Sequence, residues 1–190
     1  MRRYVAIGVL LPLLTAGCGP SVDSSAVAEP AEQALQLQNL RSTLATAHDK
    51  FNALADATPE QVYGWRPMEG VRSVGEVFRH VAADNYFVPS LMGIAPPADT
   101  GVTSDVETFR AFQEAERSKA EIVDHVNASF EFMLGAMDDT AGELDRSMML
   151  GQSETTVGDV WIRAVTHLHE HLGQSIAYAR SNEIVPPWSR

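Results

Sequence analysis

An all-α fold follows from three features of this 190-residue chain. Apolar residues recur at three- and four-residue steps over four long segments. Capping and breaking residues bound those segments. Strand-like alternation is missing throughout. Four amphipathic helices of this kind point to a four-helix bundle over residues 31–190. A signal peptide at 1–18 and a flexible linker at 19–30 are expected to precede it.

The N-terminal part is distinct in composition. Met1-Arg2-Arg3 is a short basic region, and Tyr4 to Leu14 is an apolar run too short to span a bilayer comfortably. Small residues then lead through Thr15-Ala16-Gly17 to Cys18, the single cysteine. This reads as a secretory signal peptide. Its end resembles the lipobox of bacterial lipoproteins, with Thr15 where leucine is usual. Cys18 is therefore expected to be lipidated, making the protein an exported, membrane-anchored envelope lipoprotein facing the periplasm. Gly19 to Glu29, rich in Ser, Ala, Pro and Val, reads as the tether.

The first helix is predicted from Ala31 to Ala57, with Leu37, Leu40, Leu44, Ala47, Phe51 and Leu54 on one face. Thr58-Pro59-Glu60 starts a short helical turn that Gly64 ends, and Trp65 to Gly70 is a loop. Ser73-Val74-Gly75-Glu76 fits a capping box for a second helix to about Val88, which Pro89 ends or kinks on toward Met92. After a Pro/Gly-rich connection, Thr103 or Ser104 caps a third helix predicted as one piece from Asp105 to Ala136. Asp138 to Glu154 is expected to be a loop, with a helical turn near Leu144. Thr155 or Thr156 caps the last helix, Val157 to Ser181, and Asn182 with Pro186-Pro187 ends it.

Composition narrows the function. A 45% apolar content supports a packed core, and a net charge of −11 argues against nucleic acid as a partner. One cysteine precludes an intrachain disulfide, so the fold rests on its core, with or without a metal.

Six histidines are present, and three stand out. His167 and His171 are four apart on the apolar side of the last helix, hence on one face. His80 lies near the core margin of the second helix. Three imidazoles from two helices suit one metal ion, zinc or another late transition metal, and leave positions for water or substrate. Asp84, one turn beyond His80, is a candidate second-sphere partner or fourth ligand. Glu170 and Asp159 are weaker candidates, and His169 should point away. His48 and His125 read as ordinary core-edge residues. Trp65, Trp161 and Trp188 read as packing or loop residues. Gly173, within a helix, suggests close helix approach or access to the site.

Three segments together resemble the DinB-like (DinB/YfiT) superfamily. They are Tyr63-Gly64-Trp65-Arg66-Pro67 with Glu69-Gly70, Val71 to Val77 leading to His80-Val81, and His167 to Gln174 continuing through Tyr178 to Trp188. The resemblance covers about Leu37 to Trp188. It implies up-down-down-up connectivity and a divalent metal, usually zinc or nickel, on three histidines, whose positions match His80, His167 and His171. It also implies that relatives include thiol-dependent transferases, isomerases and metal-dependent hydrolases. An export signal departs from most members and from any cytosolic thiol cofactor. The expected function is thus a metal-dependent, hydrolase-like enzyme acting on a small molecule, with metal-bound water as nucleophile. The alternatives are a non-catalytic envelope lipoprotein that binds metal or a small ligand, and a thiol-dependent transferase. A homodimer is compatible with the pattern; nothing in the residues fixes the oligomeric state.

Overall fold

The computed structural model describes residues 30–189; the expected signal peptide, Cys18 and the tether lie outside the described residues. The described chain is mostly helical, and no helix in it is long and apolar enough to cross a membrane. Its helices are α1 (Pro30–Ala57), α2 (Val74–Leu91), α3 (Val106–Glu114), α4 (Lys119–Asp139) and α5 (Val157–Ser181). Two short strands, β1 (Ser147–Leu150) and β2 (Ser153–Thr156), pair antiparallel between α4 and α5.

The four long helices share one core. α1 packs on α4 and α5, and α2 packs on the same two. Leu44, Phe51 and Leu54 of α1 meet Phe130, Met133 and Met137 of α4 and Trp161 and Leu168 of α5, all essentially inaccessible to solvent. Burial of each such side chain stabilises the fold by about 1.5–3 kcal/mol. Trp161 also satisfies its indole nitrogen, which donates to Thr140 Oγ1 at 2.9 Å. Of the other tryptophans, Trp65 packs edge-on against Tyr178, and Trp188 lies at the surface near Lys50. α2 starts at the expected capping box: Ser73 Oγ accepts from Glu76 N, and Glu76 Oε2 accepts from Ser73 N. Gly75 lets the preceding loop close on α2. Its N–H donates to Tyr63 O at 2.8 Å, and a Cβ there would come within 3.2 Å of Tyr63. Pro89 does not end α2, which runs on to Leu91.

Two expectations are corrected. The third helix is not one piece from Asp105 to Ala136. The chain breaks at Ala115, which is extended (φ −61°, ψ 128°), and restarts at a second capping box, Ser118 with Glu121. Arg79 and Arg117 each donate to the Ala115 carbonyl, and Arg117 also to the Phe112 carbonyl, which fixes the C-terminal end of α3. α3 lies against α2, where Phe112 packs with Ala82, Ala83, Tyr86 and Val102.

The second correction concerns the stretch expected to be a loop, which holds the β1–β2 hairpin. Ser147 pairs with Thr156, and Leu150 pairs with Ser153 across a two-residue turn. Gly151 takes the first central position at φ 63°, where a II′ hairpin turn needs glycine. The hairpin base abuts the start of α5: Val157 N donates to Arg146 O, and Gly158 N donates to Leu144 O at 2.8 Å. A Cβ on Gly158 would stand 3.0 Å from that same oxygen.

Candidate metal centre

α2 and α5 face each other, and the register of each helix brings its polar edge to the shared seam. On α2, His80 and Asp84 are one turn apart; on α5, so are His167 and His171. One ligand-type atom from each of the four lies within 4.8 Å of the others. Asp84 Oδ2 is 3.1 Å from His80 Nε2 and 3.1 Å from His167 Nε2. His167 Nε2 is 3.2 Å from His171 Nε2. Tetrahedral ligands about 2.0–2.1 Å from one ion stand about 3.3 Å apart, close to these separations. His80 and His171 are buried, while the His167 side chain is 44% exposed. The cluster thus has a closed inner side and an open outer edge at His167.

The outward ring nitrogens set the tautomers. His80 Nδ1 lies 2.7 Å from Gln113 Oε1 on α3, and His171 Nδ1 lies 2.9 Å from Gln174 Oε1. An amide oxygen only accepts, so both Nδ1 atoms carry the proton and both Nε2 atoms present lone pairs inward. The orientation of Gln174 is fixed in turn, because its Nε2 donates to Tyr178 OH at 3.0 Å. Tyr178 packs edge-on against Trp65 of the loop before α2. A connected chain of side chains therefore runs from that loop to His171.

This leaves a surplus of acceptors. His171 Nε2 and Asp84 Oδ2 both meet His167 Nε2, the one nitrogen free to carry a proton, while His80 Nε2 meets only the acceptor Asp84 Oδ2. Burial drives the His80 pKa down to about 4, with Arg72 and His171 adding to the effect against the pull of Asp84. Burial also lowers the pKa of His171. The hydrogen bond to Asp84 raises that of His167. Near neutral pH, two bare nitrogens and a carboxylate oxygen thus face inward at hydrogen-bond distance with a single proton among them. One cation at their centre would satisfy every one of these atoms. The donor set, nitrogen-rich with one carboxylate, suits zinc or a neighbouring late transition metal.

The other candidates lie elsewhere. Glu170 is exposed and only 3.7 Å from the outward His167 Nδ1. Asp159 sits at the N-terminus of α5, where its N–H donates to Thr156 Oγ1. His169 is exposed and pairs with the Val165 carbonyl at 2.8 Å. His48 stacks on Phe130, and His125 packs against Tyr86 and Phe112. Gly173 is exposed with nothing within 4 Å of a Cβ position, so it does not mark close helix approach. Sequence reasoning did not find Gln113 or Gln174. Gln174, three residues after His171, carried a legible signal in its spacing; Gln113 carried none, because its position depends on the break after α3.

Comparison with known proteins agrees with this architecture. The family model described as "DinB superfamily" matches residues 43–175. A DinB-like protein from Bacillus cereus ATCC 10987 superposes with a TM-score of 0.66 at 13% identity, covering 79% of this chain and 95% of that one. A DinB-like protein from Bacillus subtilis superposes at 0.58 and 16% identity, covering 80% and 97%. No curated protein matches the sequence. The family match spans both the His80 and the His171 sides of the cluster, and the chain belongs to the DinB superfamily.

Proposed function

We propose that His80, His167 and His171, with Asp84, hold one divalent metal ion, and that the protein is a metal-dependent, hydrolase-like enzyme acting on a small molecule. The observation that carries this reading is the convergence of three Nε2 atoms and one carboxylate oxygen, with the outward protons of His80 and His171 already committed to glutamine oxygens. When bound, such an ion supplies Lewis acidity and makes water a stronger acid. The residues of the chain do the rest. Gln113 and Gln174 orient His80 and His171 and keep their inner nitrogens unprotonated. Asp84 adds the negative charge that favours a dication over a proton. The exposed flank of His167 leaves the cluster open on one edge, and Gln113 ties α3 to His80.

The reading extends to the whole chain. The four long helices form a bundle of up-down-down-up connectivity; the long crossover from residue 92 to 118, which carries α3, supports this. The N-terminal segment exports the protein and anchors it through Cys18.

Elemental analysis of the soluble body after loading with zinc or nickel tests the centre. We expect about one ion per chain in the wild type and none in the His167→Ala, His171→Ala double variant. Equal content in both removes the site. Hydrolysis of a panel of small esters and amides, lost in the same variant, tests the activity; no turnover across the panel by the loaded wild type rejects the hydrolase reading.

A further inference from the structure

We propose that Arg72 binds the oxyanion of the substrate, a carboxylate or phosphate group, in an arginine-lined groove one layer of side chains from the metal centre. The proposal rests on the metal-centre reading and names the substrate class for it. The groove has a volume of about 670 Å³, within the usual range for small-molecule sites. It runs between the loop before α2 and the outer side of α3, and four arginines line it: Arg66, Arg72, Arg79 and Arg110. Gln113 and Phe109 form part of the same wall. These two residues also touch His80, one through its Nδ1 and the other edge-on with ring centroids 6.1 Å apart. The groove and the metal centre are thus separated by a single layer of side chains.

Three of the four arginines are engaged within the protein. Arg66 donates to the Val71 carbonyl and to Glu76 Oε1. Arg79 donates to the Ala115 carbonyl at the end of α3. Arg110 pairs with Glu107. Arg72 is exposed and has no hydrogen-bond or ion-pair partner among the described residues. It lines the same groove as Gln113 and Phe109, the two side chains that touch His80. In a chain of net charge −11, an unmatched guanidinium beside a cluster of metal-ligand type is a local reversal of sign.

Three glutamates qualify the chemistry. Glu76 is taken by Arg66 and by the Ser73 N–H. Glu114 and Glu116 also line the groove and are exposed. Four cations against three anions exclude a polyanion such as a nucleic acid strand. The balance favours a small ligand with one oxyanion, held by the planar fork of Arg72.

Calorimetric titration of the zinc-loaded protein with succinate and, separately, with inorganic phosphate tests the proposal. We expect Arg72→Gln to weaken the tighter-binding probe about tenfold. Arg72→Lys should weaken it less, and Arg110→Gln less than twofold. Preference for succinate supports a carboxylate substrate, and preference for phosphate supports a phosphorylated one. Equal affinity in wild type and Arg72→Gln, or no binding of either probe by the wild type, overturns the proposal. Zinc content of every variant is measured in parallel. A wild type that takes up no zinc rejects the metal centre, while titration of the same protein still shows whether binding depends on Arg72.

Discussion

Two polar seams cross this helical core, and they differ in how their hydrogen-bonding atoms are matched. Between α1 and α4, His48 Nε2 donates to Asn127 Oδ1 at 3.0 Å, and Asn52 Nδ2 donates to the same oxygen at 2.7 Å. Asn127 Nδ2 then donates to Glu131, and the His48 ring lies flat on Phe130 at 5.1 Å. Each donor there meets an acceptor. Between α2 and α5, the inward atoms of His80, Asp84 and His171 are all acceptors. The first seam leaves one buried acceptor, Asn52 Oδ1, without a partner but no acceptors crowded on one another; the second is matched only around a cation. Two histidines at the edge of one core can thus have opposite meanings, and the distinction lies in the partner of the second ring nitrogen.

The sharpest way to break this contrast is to remove a ligand from the α2–α5 seam. Loaded wild type should melt higher than metal-free protein. Metal at a hundredfold excess over its Kd adds about 2.7 kcal/mol, which is about 5–10 °C for a domain of this size. His80→Ala should show no such rise in differential scanning calorimetry. A rise equal to wild type would reject the cation as the missing partner.

Phe130→Ala breaks the other seam. It removes a fully buried ring and the surface on which His48 stacks, so it should cost about 3–5 kcal/mol in denaturant unfolding. Metal stoichiometry at low temperature should stay at the wild-type value; a parallel loss of metal would mean the two seams are not separable.

Gln113→Ala tests the outward partner alone. It leaves all four inward groups in place but frees the Nδ1 of His80. Metal affinity should fall about 10–100-fold in a competition titration with a chelator. An unchanged affinity would show that burial alone holds the ring.

The smallest effect is on pH. Folded His80 has a pKa of about 4 against an ordinary 6.5, so below 6.5 the unfolded chain binds a proton that the folded one refuses. Its contribution to the stability of the metal-free protein is therefore intact above 6.5 and is lost as pH falls toward 4. His167, with a raised pKa, works in the opposite sense, stabilising at low pH and losing that contribution as pH rises. Metal-free His80→Gln should lose less melting temperature than wild type between pH 7 and pH 4.5. An equal loss would remove His80 as a cause.

Much of this was legible before the structure. The capping box at Ser73 and Glu76, the apolar faces of α1 and α5, and the span Val157 to Ser181 were all readable, because each depends on residues three or four apart. The grouping of His80 with His167 and His171 was suggested by their places on two helix faces and strengthened by the family resemblance, since nothing local relates positions so far apart. The break after α3 was missed because Phe112, Ile122 and Val126 keep an apolar rhythm across it, although Ser118 and Glu121 mark the restart. The hairpin was missed for another reason. Only Met148 and Leu150 of β1 are even half-buried, and the methionine at 149 between them is exposed, so the strand leaves no alternation in the sequence.

That hairpin also determines where the chain tolerates a change of length. Leu144 against Gly158 fixes where α5 begins, and His167 and His171 follow along an unbroken spiral of hydrogen bonds. An extra residue at the Gly151 tip bulges into solvent and leaves that starting point alone. The same residue added between Val160 and Ala164 turns everything after it by about 100° and carries both imidazoles away from α2. The hairpin base serves as the zero mark from which α5 is measured, and insertions in DinB-type chains of this design should collect at the hairpin tip and avoid the first turns of α5.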